Sequence, residues 1–151
     1  IRMVRPKQPT LVARRIADVV IGAYAHRDYL RLRGAPKTAA DLLRHDLIGY
    51  DTDEAMLDGF RAGGLAVTRD NFRFRCDDHI VLAEALRAGL GIGFLATYVA
   101  RRDPGLVRLA IDLPLPRLPV WLTVHREIRS SRRIRLVYDF LAKAIPEALA
   151  E

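Results

Sequence analysis

The stretch "RAGLGIGFLATYVA", residues 87–100, carries three glycines that alternate with apolar residues directly after a predicted helix. Gly89, Gly91 and Gly93 suit a phosphate cradle, a catalytic elbow or the tight return of a helix into a buried strand. A dinucleotide-binding fingerprint runs from a strand into a helix, whereas these glycines run out of a helix into a strand. A nucleophile elbow needs a serine between its glycines, and apolar residues stand there. The glycines are therefore interpreted as structural, with Gly89 as a left-handed helix cap and the other two keeping the backbone narrow.

Around this stretch, apolar runs bounded by turn residues alternate with stretches of helical periodicity, which is typical of an α/β protein. The helix predicted over 77–89 has apolar residues three or four apart and Asp77 or Asp78 as its N-cap. The last helix, from Ser130 or Ser131, has an apolar face so broad that we expect it to lie on a sheet. Further helices are predicted at 26–34, 38–45, 54–61 and 96–102, and strands at 18–24, 47–50, 71–76, 92–96, 106–111 and 118–126.

The chain has 151 residues, half of them hydrophobic, which suffices for one ordinary domain or for two small lobes. Its apolar runs are far shorter than the ~20 residues that cross a bilayer, and the single cysteine, Cys76, forms no internal disulfide. The sequence starts at Ile1 without a signal segment and is interpreted as a piece of a longer protein. We therefore expect a soluble, cytoplasmic protein with no membrane partner.

The net charge of +7 is concentrated at the two ends of the chain. Residues 1–15 hold five basic and no acidic residues, 125–151 hold six basic and four acidic, and 16–124 hold 14 of each. The basic run "HREIRSSRRIR" at 125–135 lacks interleaved aromatic residues on which a single-strand binder stacks bases. A solvated or partner-facing surface is therefore favoured over nucleic-acid contact, which stays open as the weaker alternative.

The densest polar group is "CDDH", residues 76–79. Four consecutive residues cannot converge on one ion, and the other histidines stand alone, so we predict no metal site. The adjacent Ser130 and Ser131 are interpreted as a helix cap, which leaves a catalytic triad without a nucleophile. Cys76 at a strand end is more typical of a small core residue. We expect no catalytic residue, no metal and no cofactor.

Several blocks that follow one another in a fixed order resemble the effector-binding domain of LysR-type transcriptional regulators over nearly the whole chain. Together they are more specific than any one of them alone. The blocks are "IR" (1–2), "LVARRIADVVIGAYAHRDYLRLRGAPKTAADLLRHDLIGYD" (11–51), "LAEALRAGLGIGFLATYVA" (82–100) and "LPVWLTVHRE" (118–127).

The resemblance implies a periplasmic-binding-protein-like fold of type 2, in which two α/β subdomains, joined by two crossing strands, hold a small-molecule effector in the cleft between them. Residues 25–118 would form the complete second subdomain. The first subdomain would be partial: 1–24 includes the first crossing strand, and 119–151 the second crossing strand and the C-terminal helix. The resemblance also implies a homo-oligomer, a dimer or tetramer in the parent protein, which binds DNA only through a winged helix-turn-helix preceding Ile1.

The resemblance also implies residues that line the cleft from three parts of the chain. An arginine near the start faces the cleft in some members of the family, although a structural ion pair is an equal alternative. The first turn of the 77–89 helix lines the cleft, and the strand after the glycines forms its floor, where the aromatic residue is equally a plain core residue. The ligand-binding residues expected on this basis are Arg2, Asp77, Asp78, His79, Gly93 and Phe94.

The expected function is ligand sensing without catalysis, and the alternative is a solute-binding or enzyme domain of the same fold. The sequence preceding Ile1 distinguishes the two, because a winged helix-turn-helix indicates a regulator and a signal peptide excludes one. Many relatives resemble sensors of small carboxylates. Here Asp77 and Asp78 would repel a carboxylate and outweigh Arg2, so a neutral or cationic effector is predicted.

Overall fold

The computed structural model describes residues 1–150 and is organised by one strand of 16 residues, β1 (Leu11–His26). The N-terminal part of β1 pairs antiparallel with β6 (Arg117–His125), and its C-terminal part pairs antiparallel with β4 (Ile92–Ala96) and β5 (Leu106–Arg108). The contacts between residues divide the chain into two compact units, and the boundary lies within β1. The terminal unit comprises Ile1–Val20 and the residues from Pro116 onward, and the central unit comprises Ile21–Leu115.

The strand predicted at 18–24 is only the middle of β1. Its extension back to Leu11 depends on hydrogen bonds to β6, whose residues lie about a hundred positions away in the sequence. A bulge between Arg15 and Ala17 interrupts the register of this ladder. Because a local pattern carries no information on so distant a partner, the prediction was too short.

The central unit is built on a mixed sheet with the strand order β3-β2-β4-β1-β5. The short strand β2 (Leu47–Gly49) lies between β3 (Phe72–Arg75) and β4 and is parallel to both. In the sequence, helices connect these parallel strands, as is usual because parallel strands need a long crossover connection. The α/β class is confirmed, and β5 is an edge strand as predicted.

The helices of the structure begin and end close to the predicted positions. The segment predicted as a helix over 38–45 takes the tighter 3-10 form. The α-helices are α1 (Arg27–Arg33), α2 (Ala55–Ala62), α3 (His79–Arg87), α4 (Thr97–Ala100) and α5 (Arg132–Leu149), and the 3-10 helices are Ala39–Arg44, Arg69–Asn71 and Arg126–Ile128.

Successive residues of β2 anchor a separate core on each face of the central sheet. Leu47 is fully buried in a cluster with Tyr29 of α1 and Phe60 of α2. Ile48 points the other way and packs in a cluster with Leu86 of α3. Because side chains alternate across a strand, three apolar residues in a row are buried only when helices cover both faces.

The three glycines of the 87–100 stretch are structural, which confirms their interpretation. Gly89 follows the C-cap Ala88 of α3 and has a φ of +73°, in the left-handed region. A side chain at Gly91 would place its Cβ 2.3 Å from the carbonyl oxygen of Asp46, and one at Gly93 would lie 3.3 Å from Leu86. The chain therefore needs glycine where α3 returns into β4.

In the terminal unit, α5 lies beside the two-stranded ladder of β1 and β6. Within residues 1–150, no side chain of α5 is buried. Leu136, Val137 and Phe140 are 63%, 57% and 68% exposed. The apolar face of α5 is therefore wider than the two-stranded ladder beside it covers, and these three residues are left exposed.

Candidate functional site

The parallel strands β2 and β3 end side by side in the central unit. Gly49 and Arg75 are register partners, and the backbone N–H of Cys76 donates to the carbonyl of Gly49 at 3.0 Å. In open α/β sheets, ligands bind outside the carboxyl ends of the strands. The residues that follow these two strands therefore form the candidate site, named here the strand-end cluster: Tyr50, Asp51, Thr52, Asp53, Cys76, Asp77, Asp78 and His79.

Asp77 ties the two strand ends together. Its carboxylate accepts hydrogen bonds from the backbone N–H groups of Asp51 at 3.0 Å and Thr52 at 3.1 Å, and from the Thr52 hydroxyl at 2.6 Å. These bonds, the Thr52 hydroxyl first, lower the pKa of Asp77 below its usual value, because they stabilise the ionised form. Asp77 is thus a carboxylate at neutral pH and fixes the 50–53 loop.

Asp78, rather than Asp77, is the N-cap of α3. Its Oδ1 accepts from the backbone N–H groups of Ile80 at 2.8 Å and Val81 at 3.1 Å. These are donors that a helix N-terminus otherwise offers to an anion. With them occupied by an aspartate, α3 presents a negatively charged rather than an anion-binding end.

Tyr50 and His79 form an aromatic pair over the strand ends. Their ring centroids lie 5.5 Å apart in an edge-to-face arrangement, and the Tyr50 hydroxyl lies 3.5 Å from His79 Nδ1. Burial, followed by the charges of Asp53 and Asp77, raises the pKa of Tyr50 above its usual value of 10.0. The phenol is therefore protonated at neutral pH and offers a hydrogen bond beside an ionised carboxylate.

Two arginines border the cluster, and both are engaged by Asp51. Arg69 donates to the Asp51 carbonyl at 2.6 Å, and Nε of Arg75 lies 3.6 Å from Asp51 Oδ1. The segments 50–53 and 77–79 together hold four aspartates, which exceed these two cations. The chemistry available here is thus recognition of a polar neutral or cationic group by carboxylates, a phenol and an imidazole.

The structure brings three of the six predicted ligand-binding residues, Asp77, Asp78 and His79, into this cluster. The sequence reasoning did not name Tyr50 or Thr52. Tyr50 is the last residue of the strand predicted at 47–50 and Thr52 lies two residues after it, so the sequence placed both at a strand end. Only the structure shows that this strand runs parallel to the strand before Asp77. Residues at neighbouring parallel strand ends are expected to meet.

The other three predicted residues lie outside the strand-end cluster and make structural contacts elsewhere. Arg2 belongs to the terminal unit, where its backbone forms a bridge with Trp121 and its guanidinium donates to Gln8 Oε1 at 3.2 Å. Gly93 lies beneath α3, and the ring of Phe94 lies 5.4 Å from that of Phe60. A ligand-binding role for Arg2, Gly93 and Phe94 stays a prediction.

Within residues 1–150, no three His, Cys, Asp or Glu side chains converge in a way that would hold a metal ion. Over the same residues, no helix combines the length and the apolar character needed to span a membrane. Cys76 is a free cysteine whose sulfur accepts from the backbone N–H of Asp78 at 3.4 Å.

Comparisons with known proteins agree on one family and one fold. The sequence matches the profile of the LysR substrate binding domain over residues 1–146. No curated protein matches it. Among solved structures, the regulatory domain of CrgA, a LysR-type transcriptional regulator from Neisseria meningitidis, superposes with a TM-score of 0.77 at 22% identity, over 95% of this chain and 72% of that domain.

The full-length virulence activator AphB from Vibrio cholerae superposes with a TM-score of 0.69 at 23% identity, over 91% of this chain and 48% of that one. CbnR, a LysR family transcriptional regulator, superposes with a TM-score of 0.65 at 16% identity, over 91% of this chain and 48% of CbnR. The chain therefore spans about half the length of these full-length regulators. The periplasmic-binding-protein-like fold of type 2 that the sequence blocks implied is confirmed.

Proposed function

Since this chain belongs to the LysR substrate binding domain family, we propose that it senses a small molecule and thereby controls DNA binding by a transcriptional regulator. The observation that carries the proposal is the family match over residues 1–146, with the order of strands and helices that solved regulatory domains share. The chain itself is an effector-binding domain of the LysR type. Sensing, rather than catalysis, is what such a domain contributes.

In this proposal, DNA is contacted by a winged helix-turn-helix encoded before Ile1, in a cytoplasmic homo-oligomer, either a dimer or a tetramer. The coding sequence upstream of Ile1 tests the first part directly. A winged helix-turn-helix there is the expected result. A secretory signal peptide would instead favour the alternative of a solute-binding protein or enzyme of the same fold.

We further propose that the effector binds at the strand-end cluster and is neutral or cationic. In this proposal, a cationic or hydrogen-bond-donating group of the effector lies against the Asp77 and Asp78 carboxylates, and the protonated Tyr50 phenol donates to an acceptor of the effector. At ~4 Å, a unit-charge pair is worth about 1 kcal/mol in water and several times more where water is partly excluded. The excess of carboxylates therefore disfavours an anion here.

Three probes of one shape and different charge test this: benzylamine, benzyl alcohol and benzoate, added to the full-length regulator. Benzylamine or benzyl alcohol is expected to shift backbone amide resonances of 50–53 and 77–79, and Asp77→Asn should weaken benzylamine binding about tenfold, or ~1.4 kcal/mol. Asp58→Asn, at an exposed aspartate of α2, is the matched control and should bind as the wild type.

Binding of benzoate alone at these resonances, unaffected by Asp77→Asn, would show that the charge argument is wrong. The regulator assignment is read separately, as a change in the affinity of the full-length protein for its promoter DNA when a bound effector is present. A domain that binds an effector without any such change would contradict the control function and leave the site intact.

A further inference from the structure

Asp51 is held at its N–H, its carbonyl and its carboxylate by one neighbouring segment of the central unit. Its backbone N–H donates to the Asp77 carboxylate at 3.0 Å. Its carbonyl accepts from Nη2 of Arg69 at 2.6 Å, and its Oδ1 lies 3.6 Å from Nε of Arg75. These partners all belong to residues 69–77, the segment that contains β3 and leads to α3. This segment therefore holds the 50–53 loop through main-chain and side-chain groups alike.

The backbone that carries Arg69 is itself anchored. Arg69 begins the 3-10 helix Arg69–Asn71, and its N-cap residue, Thr68, donates through its backbone N–H to Asn71 Oδ1 at 2.8 Å. The chain enters the core on either side of this helix, because Val67 is 2% exposed and Phe72 packs against the same cluster of buried residues. The guanidinium of Arg69 thus reaches the loop from a fixed position of the chain.

The 50–53 loop is held by hydrogen bonds rather than by burial. Asp51, Thr52 and Asp53 are all exposed, so burial of apolar surface does not fix their backbone. Exposed loops are the mobile part of a domain, and a binding site that includes one is precise only where neighbouring groups hold it in the binding arrangement. The bond from Arg69 acts on a main-chain carbonyl and therefore fixes the backbone of the loop directly.

The charge of Arg69 and its hold on the loop have opposite effects on a cationic effector. By charge alone, removal of Arg69 would strengthen the binding of a cation, since a repelling charge is lost. Loss of a held loop would weaken the binding of a charged or a neutral effector, because the cost of ordering the loop then reduces the affinity. The sign of the change in affinity therefore distinguishes positioning from electrostatics.

We propose that Arg69 is a positioning residue for effector binding: through its bond to the Asp51 carbonyl, it holds the neighbouring Tyr50 and Thr52 where the effector meets them. This inference rests on the proposed function of the strand-end cluster. Arg69 is outside that cluster and acts without touching the effector. Its role differs from that of Asp77, which holds the same loop but also contributes a charge to the site.

The test compares Arg69→Ala with the wild type in the full-length regulator. Hydrogen–deuterium exchange without effector, measured by mass spectrometry on peptides that cover 50–53, is expected to be faster in Arg69→Ala. The affinities for benzylamine and for benzyl alcohol, measured by calorimetry, should both fall about fivefold, which corresponds to the loss of one hydrogen bond of ordinary net strength.

Two further variants are the controls. Arg69→Lys keeps a donor for the Asp51 carbonyl and should restore most of the exchange protection and of the affinity. Arg31→Ala, at an exposed arginine of α1 that pairs with Asp28, is the matched control and should leave both measurements unchanged. If Arg69→Ala does not fold, Arg69→Met, which keeps the length of the side chain but has no donor, takes its place.

Exchange of the 50–53 peptides at the wild-type rate in Arg69→Ala would show that Arg69 does not hold the loop. Faster exchange with the affinity for both probes unchanged, or with tighter benzylamine binding, would show that the held loop does not matter for binding. Either result overturns the inference. A wild-type protein that binds neither probe would instead contradict the proposed effector site and with it the role of Arg69 in binding, whereas the exchange rates alone decide whether Arg69 holds the loop.

Discussion

The hydroxyl of Thr52 donates a 2.6 Å hydrogen bond to Asp77, and this bond joins the segments that follow two parallel strands. Asp77 lies at the start of the α3 region, and Thr52 lies in the loop after β2. This hydrogen bond holds in place the part of the strand-end cluster where we propose that the effector binds. It is also the largest cause of the lowered pKa of Asp77.

Replacement of that hydroxyl is expected to change the titration of its partner. Thr52→Val removes the hydroxyl donor but keeps the shape and the backbone donors, so the pKa of Asp77 should rise toward its usual 3.8. The measurement is an NMR titration of the side-chain carboxyl carbons. Thr68→Val, which breaks a similar bond to Asn71 elsewhere, is the control. An unchanged Asp77 titration in Thr52→Val would show that the backbone donors alone lower the pKa of Asp77.

A second prediction concerns His45 and the stability of the central unit in mild acid. Tyr29 accepts from the backbone N–H of Asp46 at 3.0 Å, and its hydroxyl lies 3.1 Å from His45 Nδ1. Burial, followed by the charge of Arg33, lowers the pKa of His45 below its usual 6.5. The unfolded chain therefore binds more protons than the folded chain between these two pKa values.

It follows that the His45 contribution to stability is full above about pH 6.5 and declines as the pH falls toward the folded pKa, below which it stays constant. Urea unfolding measured from neutral to mildly acidic pH should show this loss, and His45→Gln should show less of it. Equal slopes in the wild type and in His45→Gln would remove His45 as the cause.

The glycines before β4 give a third prediction. Gly91→Ala would push a methyl group into the Asp46 carbonyl, which accepts the Ile92 N–H at 2.8 Å, and should destabilise the chain by about 1–3 kcal/mol. Gly59→Ala, in the open middle of α2, meets nothing within 4 Å and should stabilise it by about 0.4–1 kcal/mol. Denaturant unfolding measures the free energy of unfolding of both variants. A change in the same direction for both would contradict the structural interpretation of Gly91.

The fourth prediction concerns self-association through the exposed apolar face of α5. Because Leu136, Val137 and Phe140 are more than half exposed, the 151-residue chain is expected to self-associate as its concentration rises. Phe140→Ser should shift association to higher concentration in sedimentation experiments, whereas Lys143→Ser on the same helix should not. A monomer at all concentrations, with no binding of a dye specific for apolar surfaces, would count against it.

Local sequence patterns were sufficient for elements that local interactions stabilise. The apolar spacing of α3, its aspartate cap and the left-handed Gly89 all act within one or two helical turns, so they are visible in consecutive residues. The order of such blocks was also sufficient to identify the family and its fold. The role of the glycines followed from the direction of the chain, from helix into strand.

What the tertiary structure decided depends on residues that are far apart in the sequence. The extent of β1 depends on β6, and the exposure of α5 depends on how few strands lie beneath it. The strand-end cluster depends on parallel pairing of β2 and β3, which brings Thr52 and Asp77 together across 25 residues. The sequence determines which residue stands at each position. Hydrogen bonds, burial and pKa shifts depend on distances in space, and only the folded sheet determines those.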